Sequence, residues 1–133
     1  SLRPRAGLTV PGARAVALAA GADHVRPLLV VDIGAHLTEV VLLADGAVTD
    51  ARRTALGTGD LCDGTEPELI TEAVTGMVTA MLRQDRTSLT RTALRRGVLL
   101  AGGGALRPDI TRDLPDGLGC AVQPVPSPHT AAV

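Results

Sequence analysis

The sequence predicts an α/β layer fold with a mixed sheet. Two apolar runs, Leu28-Leu29-Val30-Val31-Asp32-Ile33-Gly34 and Gly97-Val98-Leu99-Leu100-Ala101, have the make-up of strands buried on both faces. Between them an apolar stripe recurs at helical spacing over Leu69, Ile70, Ala73, Val74, Met77, Val78 and Met81. The chain-wide order β-α-βββ-α-(α)-β-α-β sets strands against helices in the alternation that layer folds require. At 133 residues there is room for one ordinary domain, and 45% of them are apolar.

Residues 5–10 read as a strand closed by the Pro11-Gly12 turn. Ala13 to Ala22 is Ala-rich and predicts a helix, with Gly21 weakening its last turn. Leu28 to Gly34 is the first buried strand and Thr38 to Leu43 the second. Asp45-Gly46 is a two-residue hairpin signal that returns the chain through Ala47 to Thr54, so a meander is predicted from Leu28 to Leu56. Gly57 to Thr65 is a Gly- and Asp-rich loop. Thr65 is placed to cap the long helix, Pro67 suits its first turn, and Glu68 complements its dipole. A short helix is predicted near Leu89 to Leu94. After the next strand and Gly102-Gly103-Gly104, Ala105 to Leu114 reads as helix, Pro115-Asp116-Gly117 as a turn, and Ala121 to Val125 as a last strand.

Composition excludes several functions. There is no Phe, Tyr or Trp, so no aromatic platform for single-stranded nucleic acid exists. The net charge of −1 lacks the basic footprint of a DNA or RNA binder. All 13 basic residues are Arg, which removes the Lys of a Walker A loop, the strand Lys of a protein kinase and any Schiff-base Lys. Cys62 and Cys120 lie far apart, in no metal spacing, and read as idle thiols of a reducing compartment. His24 and His129 have no acidic or Cys partner at metal spacing, so zinc is not expected. The pairs Arg52-Arg53 and Arg95-Arg96 read as solvated surface. No stretch reaches the length of a membrane span and no signal-peptide pattern opens the chain, so neither membrane insertion nor export is expected.

Two constellations carry chemistry. The first is Asp32-Ile33-Gly34 at a strand end, turning into Thr38-Glu39. Such an acid can hold Mg²⁺ directly or through water while the turn's backbone N–H groups meet an anion; the same Asp can also serve only to form the turn. The second is Gly102-Gly103-Gly104 between strand and helix, where bare backbone can receive a nucleobase or phosphate, or merely make a flexible turn. It is not a Rossmann fingerprint, because the third glycine is wrongly spaced.

Together these motifs, separated by a long amphipathic helix, resemble the actin-like ATPase superfamily, and within it the MreB family of bacterial actins. Residues 29–40 look like that family's second phosphate loop, usually VVDIGGGTTEV, and residues 97–106 look like its adenosine motif, usually GIVLTGGGALL. Leu8-Thr9-Val10-Pro11 and the Ala-rich helix resemble the strand and helix that join the two halves of the fold. Pro126-Ser127-Pro128-His129-Thr130 is similar to the stretch after the last strand. The resemblance implies an actin-like (ribonuclease H-like) mixed sheet with flanking helices. Residues 1–22 would be the linking strand and connecting helix, and residues 23–133 a IIA-like nucleotide-binding unit without the small subdomain IIB. It further implies ATP or ADP bound by Asp32, Gly34, Ala35, His36, Leu37, Thr38, Gly102, Gly103, Gly104 and Ala105. Mg²⁺ would be held through water by Asp32, and Thr38 would position phosphate or the attacking water.

The departures matter equally. Ala35 and His36 replace two glycines of the loop, Leu37 replaces its first Thr, and Thr9-Val10 stand where the family has an acidic pair able to orient water. His36 could meet phosphate as imidazolium or face solvent. Weak or absent hydrolysis is the expectation. The implied partners are an N-terminal actin-like half, further copies of the chain, and morphogenetic proteins. The implied setting is the cytoplasm, with recruitment to the inner face of the membrane, in cell-wall morphogenesis or sporulation. The alternative is a nucleotide-independent scaffold with a vestigial site. A sugar or small-acid kinase of the same superfamily ranks last, for want of a catalytic carboxylate.

Overall fold

A computed structural model describes residues 10–23 and 25–125. Helix α1 (Val10–Ala19) leads into three strands, β1 (Leu28–Ile33), β2 (Thr38–Ala44) and β3 (Ala47–Thr54). A 3-10 turn (Thr58–Asp63) precedes α2 (Pro67–Gln84) and α3 (Leu89–Arg96). Strand β4 (Val98–Ala101), a second 3-10 turn (Gly103–Leu106), α4 (Pro108–Leu118) and β5 (Val122–Pro124) complete the order. The expected strand over residues 5–10 lies outside the described residues except for Val10, which belongs to α1; His24, His129 and the Pro126-to-Thr130 stretch lie outside them as well.

The five strands form one sheet in the order β3-β2-β1-β4-β5. β1 pairs antiparallel with β2 and parallel with β4, so the mixed sheet changes character at β1. Both faces are covered, which is why the central strands are apolar runs rather than alternating ones. Leu29, Val31 and Ile33 of β1 join Val40, Leu42 and Leu100 under α2, α3 and α4. Leu28 and Val30 join Val41, Leu43 and Leu99 under Ala13, Val16 and Ala17 of α1. The meander and the mixed α/β sheet are therefore as the sequence predicts.

Several boundaries differ, each for a physical reason. α1 begins at Val10, not Ala13, because Pro11 sits in the first turn, where its missing N–H breaks no helical bond. The Gly57–Thr65 loop is instead organised by the 3-10 turn, in which the Asp60 carboxylate accepts from the Gly57 N–H at 2.8 Å. Thr65 does not cap α2; Glu66 stands at that position, without a side-chain cap bond. Of the apolar stripe, Ile70, Val74, Val78 and Met81 are buried, each stabilising by about 1.5–3 kcal/mol, whereas Leu69 is 49% exposed at the stripe's edge. The helix expected from Ala105 starts three residues later at Pro108. Pro115-Asp116-Gly117 is its continuation rather than a turn, ended by Gly119 in a left-handed conformation. Gly117 packs against Thr71 and Thr75 of α2, which holds that last turn down. Among the basic pairs, Arg52 bonds Asp50 and Gln84, Arg53 pairs with Glu39, and Arg96 donates to the carbonyls of Pro27 and Asp23. They tie the fold together more than a solvated surface would. Both cysteines are free; Cys62 is exposed, and burial pushes the thiol pKa of the half-buried Cys120 up. No helix among the described residues is long and apolar enough to cross a membrane.

Candidate nucleotide-facing site

Asp32 is opposite Glu39 of β2 on one side and Ala101 of β4 on the other. Strands β1 and β4 run parallel, so the Asp32 hairpin and the glycine triplet emerge side by side at the same end of the sheet. From there the chain leaves in opposite directions, β1 toward β2 and β4 onward to α4 and β5. Adjacent strand ends with diverging connections are the usual ligand position in open α/β sheets, and the crevice is named here for that topological place.

The hairpin is closed by the Gly34 N–H donating to the Leu37 carbonyl at 2.9 Å. Its own carbonyls are taken from one side: the amides of Thr58 and Gly59 donate to Gly34 and Ala35 at 2.9 and 2.8 Å. Among the described residues no acceptor meets the amides of Ala35 and His36. A turn whose carbonyls are clamped from behind and whose amides are open has the polarity of an anion-binding nest. Ala35 and His36 are exposed there, with the His36 ring beside Gly59, while Leu37 is half-buried.

The Gly57-Thr58-Gly59 strap is a part of the site that the sequence reading missed. A β-carbon on Gly57 would stand 2.6 Å from the Ala35 carbonyl oxygen, and one on Gly59 would stand 2.7 Å from it. Only glycine lets the strap lie so close. The sequence signal for it is Gly57-Thr58-Gly59-Asp60, two glycines around a hydroxyl ahead of an acid. Thr58 also reaches sideways: its hydroxyl lies 3.4 Å from the Gly34 carbonyl oxygen and 3.4 Å from the β-carbon position of Gly103.

The glycine triplet divides into two roles. Gly102 has φ +82°, and a side chain there would collide with the Asp32 carboxylate and stand 2.5 Å from the Ile33 carbonyl oxygen. A β-carbon on Gly104 would meet Cβ of Ile33 at 2.6 Å. These two glycines are required by the domain's own packing. Gly103 is exposed, and its β-carbon position makes only ordinary contact, so Gly103 alone offers bare backbone to a ligand. Ala105 is half-buried and packs against the core beneath α4.

Thr38 is not brought to this crevice. Its side chain is fully buried, shares a sheet face with Val40 rather than with Asp32, and donates to the Leu56 carbonyl at 2.6 Å. Glu39, on the face of Asp32, is also buried, with Arg53 Nη2 at 3.2 Å from its Oε2. That cation offsets the repulsion of two carboxylates placed opposite each other. Asp109 at the start of α4 is held below the usual carboxylate range by its hydrogen bond to Arg107, 2.7 Å away. Among the described residues no three metal-ligating side chains converge. The arrangement fits a divalent ion held by Asp32 through water and by a ligand's phosphates, not a protein-built metal cage.

No protein-family model matches the chain, and no curated protein matches it in sequence. Solved structures do match. MreB 5 of Spiroplasma citri bound to AMPPNP aligns with a TM-score of 0.71 at 14% identity, over 94% of this chain and 55% of that one. The ethanolamine utilization protein EutJ from Carboxydothermus hydrogenoformans aligns at 0.64 with 18% identity, over 95% and 51%. A chain of the PilM-PilN type IV pilus biogenesis complex aligns at 0.58 with 22% identity, over 93% and 43%. The described residues therefore form an actin-like ATPase fold, and the chain spans about half the length of these structural neighbours.

Proposed function

We propose that the chain is the nucleotide-facing half of a divergent actin-like protein that binds adenine nucleotide and hydrolyses it weakly or not at all. The observation that carries this reading is that the Asp32 hairpin and the glycine turn leave adjacent parallel strands at the same end of the sheet. The open amides of Ala35 and His36 would take phosphate, and the bare backbone at Gly103 would lie against the nucleoside. Asp32 between them would hold Mg²⁺ through water. The Spiroplasma neighbour bound to AMPPNP supports an adenine nucleotide as the ligand. The side chains on offer support weak hydrolysis: the Thr38 hydroxyl is committed to Leu56, and the one carboxylate opposite Asp32, Glu39, is buried against Arg53. The other wall of the cleft would come from an N-terminal actin-like half. The wider role would be that of a MreB-like cytoskeletal subunit in cell-wall morphogenesis or sporulation, at the cytoplasmic side of the membrane and alongside morphogenetic proteins.

One observation favours a second reading, a scaffold with a vestigial site. Exposed side chains at Ala35 and His36 occupy the approach to the hairpin that glycines leave bare in the resembled family. The PilM-PilN complex supports it too, as a protein assembly among the structural neighbours.

The two separate in an NMR titration of the chain with Mg-ADP and Mg-ATP. Nucleotide binding predicts saturable shifts at the amides of residues 34–37 and 102–105, weakened by Asp32→Ala and by Gly103→Val. No shift at millimolar nucleotide would leave the scaffold reading in its place.

A further inference from the structure

β3 ends the sheet, with β2 on one side of it and, among the described residues, no strand on the other. None of its residues is buried, and Ala47, Thr49, Ala51 and Arg53 are exposed. Such an edge presents backbone N–H and C=O groups that a further strand can meet. No Pro or Gly interrupts it. Its charges sort by face. Arg53 turns to Glu39 on one face. Asp50 and Arg52 lie on the other, with Val40 and Leu42, and there Arg52 bonds both oxygens of the Asp50 carboxylate at 3.1 and 3.2 Å.

We propose that the free edge of β3 pairs antiparallel with β3 of a second copy of the chain, joining the two sheets edge to edge. The charges fix the register. A two-fold axis that relates antiparallel neighbours stands perpendicular to the sheet, so each face of one copy continues into the same face of the other. Directly opposite residues point to one face, so the axis must pass through a residue, which then stands opposite its own copy. Axes at Asp50, Arg52 and Arg53 set like charges together. The axis at Ala51 sets Asp50 opposite Arg52 of the second copy and Arg52 opposite its Asp50, and no other position along β3 opposes unlike charges. Each Asp50 then lies between two guanidinium groups, and the four charges alternate in sign. The irregularity opposite Leu42 and Leu43 interrupts the strand near Thr49, so the contact is short and the dimer weak. β3 is separated from β1 by β2, outside the crevice beside Asp32, so the proposal stands or falls apart from nucleotide binding.

Cross-linking tests it, in a chain carrying Cys62→Ser and Cys120→Ser. Directly opposite residues have Cα atoms about 4.5–5.5 Å apart, within disulfide reach. Oxidised with diamide, the chain with Ala51→Cys should form a covalent dimer at least about tenfold faster than the chain with Thr49→Cys, whose two thiols the same axis holds about 13 Å apart along the strands. Ala51 and Thr49 are both exposed, so neither change disturbs the core. Asp50→Arg added to Ala51→Cys should slow the reaction about threefold or more, because it puts like charges opposite each other twice. Arg52→Asp added to that pair should restore the rate. Equal rates at the two positions overturn the proposal and mark an edge that its charges keep single. So does a rate indifferent to Asp50→Arg, and so does a double reversal that fails to recover.

Discussion

The carboxylate of Asp32 fills the space that a side chain on Gly102 would need. The end of β1 and the start of the glycine turn thereby fix each other's position, and the crevice inherits its shape from that contact. Gly102→Ala should destabilise the domain by about 3 kcal/mol, through a backbone conformation that only glycine adopts easily and the collision with Asp32. Gly103→Ala, one residue on, should change stability by less than about 0.5 kcal/mol. Urea unfolding of the two variants checks the contrast. Equal losses would mean that the triplet is a single rigid unit.

The strap behind the hairpin gives a second expectation. Gly57→Ala pushes against backbone of Gly34 and Ala35, which cannot swing away as a side chain would. A loss of about 1–3 kcal/mol is expected. Faster hydrogen exchange should appear at Thr58 and Gly59, whose amides hold the hairpin carbonyls. Unchanged exchange at these two amides would show that the clamp does not depend on the close approach.

Much of this was legible in the residues. Asp45-Gly46 announced the β2–β3 hairpin, and the two apolar runs announced the central strands, because a sheet covered on both faces needs apolar side chains in both directions. The Asp32 turn and the glycine triplet stand at one rim because β1 and β4 are parallel neighbours and end on the same side, a pairing that only the fold shows. What was not legible was the reason for each glycine. Gly102 and Gly104 answer to Ile33, seventy residues away in sequence, and no local pattern shows a neighbour that only folding supplies. The Pro115-to-Gly117 stretch was misread for a similar reason. Its local chemistry says turn, but the buried Ile110 and Leu114 and the seat of Gly117 on α2 hold it helical.

Thr38 carries a third expectation. Its buried hydroxyl supplies the Leu56 carbonyl with a donor at the point where β3 hands over to the strap. Thr38→Val keeps the shape and removes the donor, at a cost of about 1–3 kcal/mol. If Thr38 acts only in this way, nucleotide-induced shifts at residues 102–105 should survive the change. Their disappearance would restore a direct part for Thr38 in the cleft.

Acid should reveal Asp85. The Thr87 hydroxyl, then the backbone amides of Thr90 and Thr87, hold its carboxyl far below the ordinary carboxylate range. A carboxyl with a depressed folded-state pKa contributes stability that is present above its unfolded value, near 3.9, and is lost as pH falls toward the folded value. The stability difference between the protein and Asp85→Asn should therefore be constant from about pH 8 to pH 5 and shrink below about pH 4. Urea midpoints across that range provide the measurement, and a difference that persists undiminished at pH 3 would contradict it.

The strap that clamps the hairpin is also the stretch of chain that leads into α2. Gly59 lies within the 3-10 turn (Thr58–Asp63), and Gly64, Thr65 and Glu66 alone separate that turn from the start of the helix. A shift of the first turn of α2 would therefore be felt first at the Thr58 and Gly59 amides that hold the turn beside Asp32.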